Sequence, residues 1–204
     1  MAEAPIEEDV SPGRRAATAE WLDSLVRNWP LLLLLIVLVG AGLRFHGLDW
    51  DQPEGAPVPL QMHPDERALS FAGNKVDWPD SIGGYFDTAQ SPLNPYNADT
   101  PSYVYGTFPL FLVKAVATLA GDDPAGPENS YDAMAIWGRR ITATLDVATI
   151  AVVFALGATL FGLRPGLLGA AFYALAVLPT QLAHFFTMDP YVTFFGAVTL
   201  LFSA

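Results

Sequence analysis

Long apolar runs constrain this chain more than any other feature. Residues 30–48 read PLLLLLIVLVGAGLRFHGL. As a helix rising 1.5 Å per residue they reach roughly 28 Å, close to the hydrocarbon thickness of a bilayer. Pro30 suits a first helical position, where no amide proton is needed. Arg44 and His46 fall at the far end, within snorkelling reach of headgroups. Residues 141–162 (ITATLDVATIAVVFALGATLFG) and 166–186 (GLLGAAFYALAVLPTQLAHFF) are also long enough to cross, and a fourth run opens at Pro190. The expected fold class is an all-α integral membrane protein, a polytopic helix bundle. Its spans are expected at 30–48, 140–162 and 166–186, with 190–204 as the start of a fourth in the N-terminal part of a longer protein. The polar, Glu- and Asp-rich residues 1–29 argue against a cleaved signal peptide.

Between the first two spans lies a polar segment, 49–139, with turn signals at SIGG, SPLNP and GDDPAGPENS. Two amphipathic helices are expected in it, about 64–73 and 107–120. The second, TFPLFLVKAVATLA, is short for a span and carries Lys114, which suits an interfacial or re-entrant helix. Arg14, Arg15 and Arg27 before the first span place the N-terminus, residues 1–29, in the cytoplasm. The long loop is then external, the turn at Leu163-Arg164-Pro165 is cytoplasmic, and His184 and Asp189 return to the face that carries residues 63–66. The expected location is the cell membrane, crossed several times.

The formal net charge is −11, from 10 basic and 21 acidic residues. Phosphate-backbone binding needs a basic face, so nucleic acid is excluded as a partner. With no cysteine, disulfides and thiolate metal sites are excluded as well.

The candidate chemistry sits in HPDERALSFAGN, residues 63–74. Pro64 followed by Asp65 and Glu66 is a common helix start, since carboxylates favour the positive N-terminal dipole. The same arrangement also sets Asp65 as a general base at the mouth of a membrane cavity. Asp189, in FFTMDPYV, is another acid at a helix entry, with His184 five residues before it. Asp146 lies inside the second span, where an ionisable group is expensive and needs a partner. Arg139, seven residues earlier on the same helical face, is the expected one. Arg139 and Arg140 also form an external cationic pair suited to a lipid phosphate. No cofactor follows from the sequence. A divalent cation is compatible with His63, Asp65, Glu66, His184 and Asp189, but these lack a recognised ligand spacing, and no metal site is expected. The absence of a glycine-rich phosphate loop and of a serine-nucleophile motif fits a donor carried on lipid.

The order of these features resembles the N-terminal module of membrane glycosyltransferases of the GT-C type, over roughly residues 30–204. The motifs that carry the likeness are the PDE loop with its amphipathic helix, YGTFPLFL, and the stretch from GRRITATLDV to TMDPYVTFF. The likeness is greatest to the bacterial family 39, protein O-mannosyltransferase-like enzymes, and extends to the aminoarabinose transferases of lipid A. It implies a polyprenyl-phosphate sugar donor, transfer to an acceptor hydroxyl on the external face, and inversion at the anomeric carbon. It implies that Asp65 is catalytic with Glu66 beside it, and that Arg139 and Asp189 serve the substrate; His63 and His184 join them as substrate-binding candidates. The 51–60 loop and GDDPAGPENSYD match no family signature. Which glycan, lipid or protein accepts the sugar does not carry over, and the isolated 204-residue piece is expected to be inactive. The alternative is a non-catalytic membrane scaffold or subunit whose external loop binds a partner. A transporter ranks below both, because no internal repeat accompanies Pro179.

Overall fold

Proline and glycine set most of the helix boundaries. The computed structural model describes residues 27–52, 54, 60–122 and 130–204, with side chains from 133 in the last segment. The cytoplasmic assignment of the N-terminus, with Arg14 and Arg15, and most of GDDPAGPENS lie outside the described residues. Every regular element among those described is helical.

Helix α1, Trp29–Phe45, starts with Pro30 in its first turn and ends where His46 turns extended. Helix α2, Pro64–Lys75, is capped by His63, whose ring accepts from the Asp65 amide. Asp65 and Glu66 occupy its first turn and Lys75 its last, as the helix dipole favours. A short α3, Ile82–Phe86, and a 3-10 turn, Pro95–Asn97, carry the loop onward to α4, Thr107–Leu119. Helix α5, Ser130–Phe161, runs 32 residues and packs against α1, α2 and α4. It starts some ten residues before the expected span, so the end of the loop is part of the helix.

Gly162, at φ +97°, makes the whole turn into α6, Leu163–Leu175. A left-handed backbone at a one-residue turn is cheap only for glycine. The two helices then meet almost backbone to backbone. A Cβ on Gly157 would sit 2.9 Å from the Gly166 Cα, and one on Gly166 would sit 2.8 Å from the Ala158 amide nitrogen.

The third apolar run is not one helix. It breaks at Ala176, which is extended at φ −66°, ψ 131°, and resumes as α7, Val177–Leu182. Pro179 accounts for part of the break, since it has no amide proton to give a continuing helix. Arg44 stabilises the broken form: its guanidinium donates to the Ala174 carbonyl at 2.8 Å and the Tyr173 carbonyl at 3.1 Å. Those carbonyls are the ones a helix end leaves open. The last helix, α8, spans Asp189–Ser203.

Two cores result. One lies under the loop, where α2, α4 and the start of α5 enclose Leu69, Leu110, Val113, Met134 and Phe186. Helix α4 buries one face in this core, Lys114 included, and leaves Phe108 and Leu119 exposed. The other core joins α1, α5 and α6 around Ile150, Phe154, Ala170 and Ala174. Among the described residues one helix, Ala133–Phe161, is long and apolar enough to cross a membrane; Trp29–Phe45 and Thr107–Leu119 are shorter apolar helices.

Candidate functional site

The first turn of α2 faces two ways. Asp65 is half-buried, and its Oδ1 accepts from the Tyr105 hydroxyl at 2.8 Å. Tyr105 precedes α4 by two residues, so the fold of the loop brings it to Asp65. Burial comes first, then the hydrogen bond and charge of Asp65, in pushing the Tyr105 phenol up to about 12. The phenol therefore stays a donor at neutral pH. His63 lies beside them, its ring 5.0 Å from that of Phe185.

Glu66, the next residue, points inward and is fully buried. Both its oxygens accept from Arg139 at 2.7 Å, and Oε1 also takes the Phe186 amide at 2.9 Å. The Phe186 contact ties the 183–188 turn to the start of α2. Arg139 is fully buried as well. Besides its Glu66 bonds, it donates to Asp51 at 2.7 and 2.9 Å and to the Leu48 carbonyl at 2.7 Å. A guanidinium has five N–H donors, and these contacts engage all of them. Burial pushes the Asp51 carboxyl up, but the hydrogen bonds and charge of Arg139 outweigh it and hold Asp51 below the ordinary carboxylate range.

Four readings of the sequence change here. Arg139 does not pair with Asp146 and has no donor left for a phosphate, because two acids distant in the chain have claimed it. Glu66 stands beside Asp65 in sequence but is a buried anchor, without an oxygen to offer a reactant. Asp146 pairs instead with Arg44, whose Nε donates to it, and Tyr173 gives Asp146 a second donor at 2.5 Å. Arg44 does not snorkel; it is fully buried. The signal for that pair was present, since Arg44 and Asp146 are oppositely charged residues within two apolar runs.

The remaining candidates lie nearby or apart. His184 holds the Thr180 carbonyl at 2.7 Å through Nδ1 and the His46 carbonyl at 3.0 Å through Nε2. His184 lines a cavity of about 750 Å³ beside the α6–α7 break, together with His46, Trp50, Gln181 and Phe185. Phe185 is also the ring that His63 touches, which places the cavity one side chain from the Asp65 cap. Asp189 is exposed at the start of α8, three residues past Phe186. Arg140 is exposed and stacks over Trp137, 4.5 Å from the ring centroid. Among the described residues no group of three or more His, Asp or Glu is placed to share a metal ion.

Sequence reasoning missed Tyr105 and Asp51. Tyr105 opens the YGTFPLFL stretch, which assigns it no role, Asp51 lies in no motif, and each reaches the site across 40 or more positions of chain. Comparison of the chain with protein families, with curated proteins and with solved structures finds no match.

Proposed function

We propose that this chain is part of a polytopic, inverting membrane glycosyltransferase of the GT-C type, which moves a sugar from a polyprenyl-phosphate carrier to an acceptor hydroxyl at the external face of the cell membrane. The observation that carries the reading is Asp65. It is the one acid of the PDE motif left half-open, fixed by Tyr105 and by its own helix start, and its cap, His63, packs on Phe185, which lines a large apolar cavity. The cavity's mainly apolar wall suits the lipid part of the carrier. Broad apolar exposure on Leu31, Leu35, Leu38, Phe172 and Phe202 supports a lipid environment for α1, α6 and α8.

In this reading the acceptor O–H gives its proton to Asp65 Oδ2. The freed oxygen forms the new bond to the anomeric carbon, the bond from that carbon to the carrier phosphate breaks, and its electrons leave with the phosphate. A phosphate monoester has a second pKa of about 6, so it departs near neutral pH without a strong acid. Arg140 takes the role that Arg139 cannot, holding the phosphate as its charge grows.

The test uses membranes carrying the protein and radiolabelled polyprenyl-phosphate sugars. Asp65→Asn should lower transfer on the order of 10²–10⁴-fold, the usual worth of a positioned base, with donor binding retained. Arg140→Ala should weaken donor binding. Full transfer by the Asp65→Asn protein rejects the assignment. One observation favours the non-catalytic scaffold instead: Glu66, Asp51 and Arg139 are wholly engaged in holding the loop together. Wild-type membranes that move no label from any carrier to any acceptor would select that reading.

A further inference from the structure

A second cavity, of about 340 Å³, opens on the loop between the 85–96 segment and the start of α4. Its volume falls within the range of small-ligand sites, about 300–1,000 Å³. Aromatic rings form its walls. Tyr85 and Phe86 meet edge to face, 5.0 Å apart at 89°, so their faces make a corner. Tyr96 stands on the lining with its hydroxyl donated to the Tyr103 carbonyl at 2.7 Å. Phe111 and the buried Leu93 complete the apolar part.

The rest of the lining is Thr88, Ser91, Asn94 and Thr107, which are short, neutral and hydrogen-bonding. The loop that carries them is built in advance. Asn94 donates to the Thr88 carbonyl at 2.8 Å, and Asn97 donates to the carbonyls of Thr88 and Ser91 at 3.1 and 3.0 Å. Thr100 closes the turn onto the Pro95 carbonyl.

We propose that this cleft binds a neutral sugar residue. Three properties of the lining select that ligand class. Exposed ring faces match the C–H face of a pyranose, and hydroxyl and amide groups match its O–H edge. An acyl chain would cover the hydroxyls of Thr88, Ser91 and Thr107 without pairing them, at a cost of roughly 1–3 kcal/mol each. Charge excludes the third class. No lining residue is charged, and residues 77–99 carry Asp77, Asp80, Asp87 and Asp99 with no Lys or Arg (Lys75 pairs with Asp99), so a phosphorylated or carboxylated ligand finds no cation on the lining and an excess of acids around it. The site stands on the cleft alone and does not rest on the transfer reading. If both hold, the ligand is a sugar of the acceptor, since Thr107 lies two residues from the Tyr105 that holds Asp65.

The test is ligand-observed saturation-transfer NMR on the whole protein in nanodiscs. The probes are methyl pyranosides and neutral trisaccharides, compared with glucuronate, glucose 6-phosphate and a short-chain phospholipid. Saturable binding of at least one neutral saccharide is expected, with no binding of the two anionic sugars. Tyr85→Ala and Phe86→Ala, both at exposed rings, should each weaken it about tenfold, as loss of an aromatic anchor does. Ser91→Trp should fill the cleft and abolish it. Asp65→Asn should leave it unchanged, which separates this site from the transfer reaction. No saccharide binding by the folded wild type overturns the proposal. So does equal binding of neutral and anionic sugars, binding of the lipid alone, or saccharide binding that survives Tyr85→Ala, Phe86→Ala and Ser91→Trp together.

Discussion

Two arginines among the described residues are fully buried, and they are stabilised by opposite means. Arg44 sits among apolar helices and meets one carboxylate, Asp146, with backbone carbonyls of Gly40, Tyr173 and Ala174 taking further donors. Arg139 sits where α5 meets the loop and meets two carboxylates, Asp51 and Glu66, with only one carbonyl. The first cluster is formally neutral and joins three helices that the apolar core already holds. The second carries one excess negative charge and joins the 48–51 segment, α2 and α5. The lesson is about dependence. Apolar helices use a buried ion pair to mend a break, whereas the polar loop uses one as its organising centre.

The largest effect should therefore come from Arg139. Arg139→Met leaves Asp51 and Glu66 buried together without a cation, and breaking a buried pair from one side costs about 3–5 kcal/mol. Hydrogen exchange should show the loop core around residues 64–76 opening while α1 and α6 stay protected. Arg139→Lys should recover only part of the loss. A lysine has three donors and no planar fork, against the five contacts made here. Equal loss of protection in the loop and the helices would show that the two clusters are one cooperative unit.

Arg44→Met should cost less, because it strands one carboxylate and because α1, α5 and α6 retain the packing around Ile150 and Phe154. The sharper prediction concerns the pair. Replacing a buried ion pair by apolar side chains is often neutral or stabilising, so Arg44→Met with Asp146→Leu should recover most of the loss of Arg44→Met alone, read as melting temperature. The corresponding triple replacement at Arg139, Asp51 and Glu66 should not, since Glu66 also holds the Phe186 amide and Arg139 the Leu48 carbonyl. Recovery in both would erase the distinction between mending and organising.

What the sequence disclosed follows the same division. Local signals were readable: proline at the starts of α1 and α2, acids in the first turn of α2, and the extent of α4 to within a residue. They depend on neighbours a few positions away, where side-chain and dipole rules operate. The expected single helix over 166–186 is interrupted at Ala176, and the carbonyls near that break are taken by Arg44, about 130 residues away in chain, which no local signal shows. The pairing of Arg139 with Asp146 failed for the same reason. Helical spacing nominated a partner seven residues along, and the actual acids lie 73 and 88 positions away. Asp65 as the accessible acid was legible from its motif; that Glu66 faces the interior was not, since only the packing of α5 decides which of two adjacent acids turns in.

The smallest effect, and the most selective, is acid sensitivity of the loop. The Asp51 carboxyl is held below its ordinary value of 3.8 by Arg139, against the contrary pull of burial. A depressed folded value means that the unfolded chain takes up the proton first. Asp51 therefore contributes fully above that ordinary value, and its contribution is lost as pH falls through the folded value. Loop protection should decline below about pH 4. Asp51→Asn should be less stable at neutral pH, yet its decline should be shallower, because the group that titrates is gone. Arg44→Met should keep the wild-type slope, since Arg44 does not touch Asp51. If Asp51→Asn and the wild type lose protection in parallel, the acid sensitivity belongs to other carboxylates. Arg139 would then hold the loop through Glu66, and the contrast between one acid and two would shrink to one of geometry.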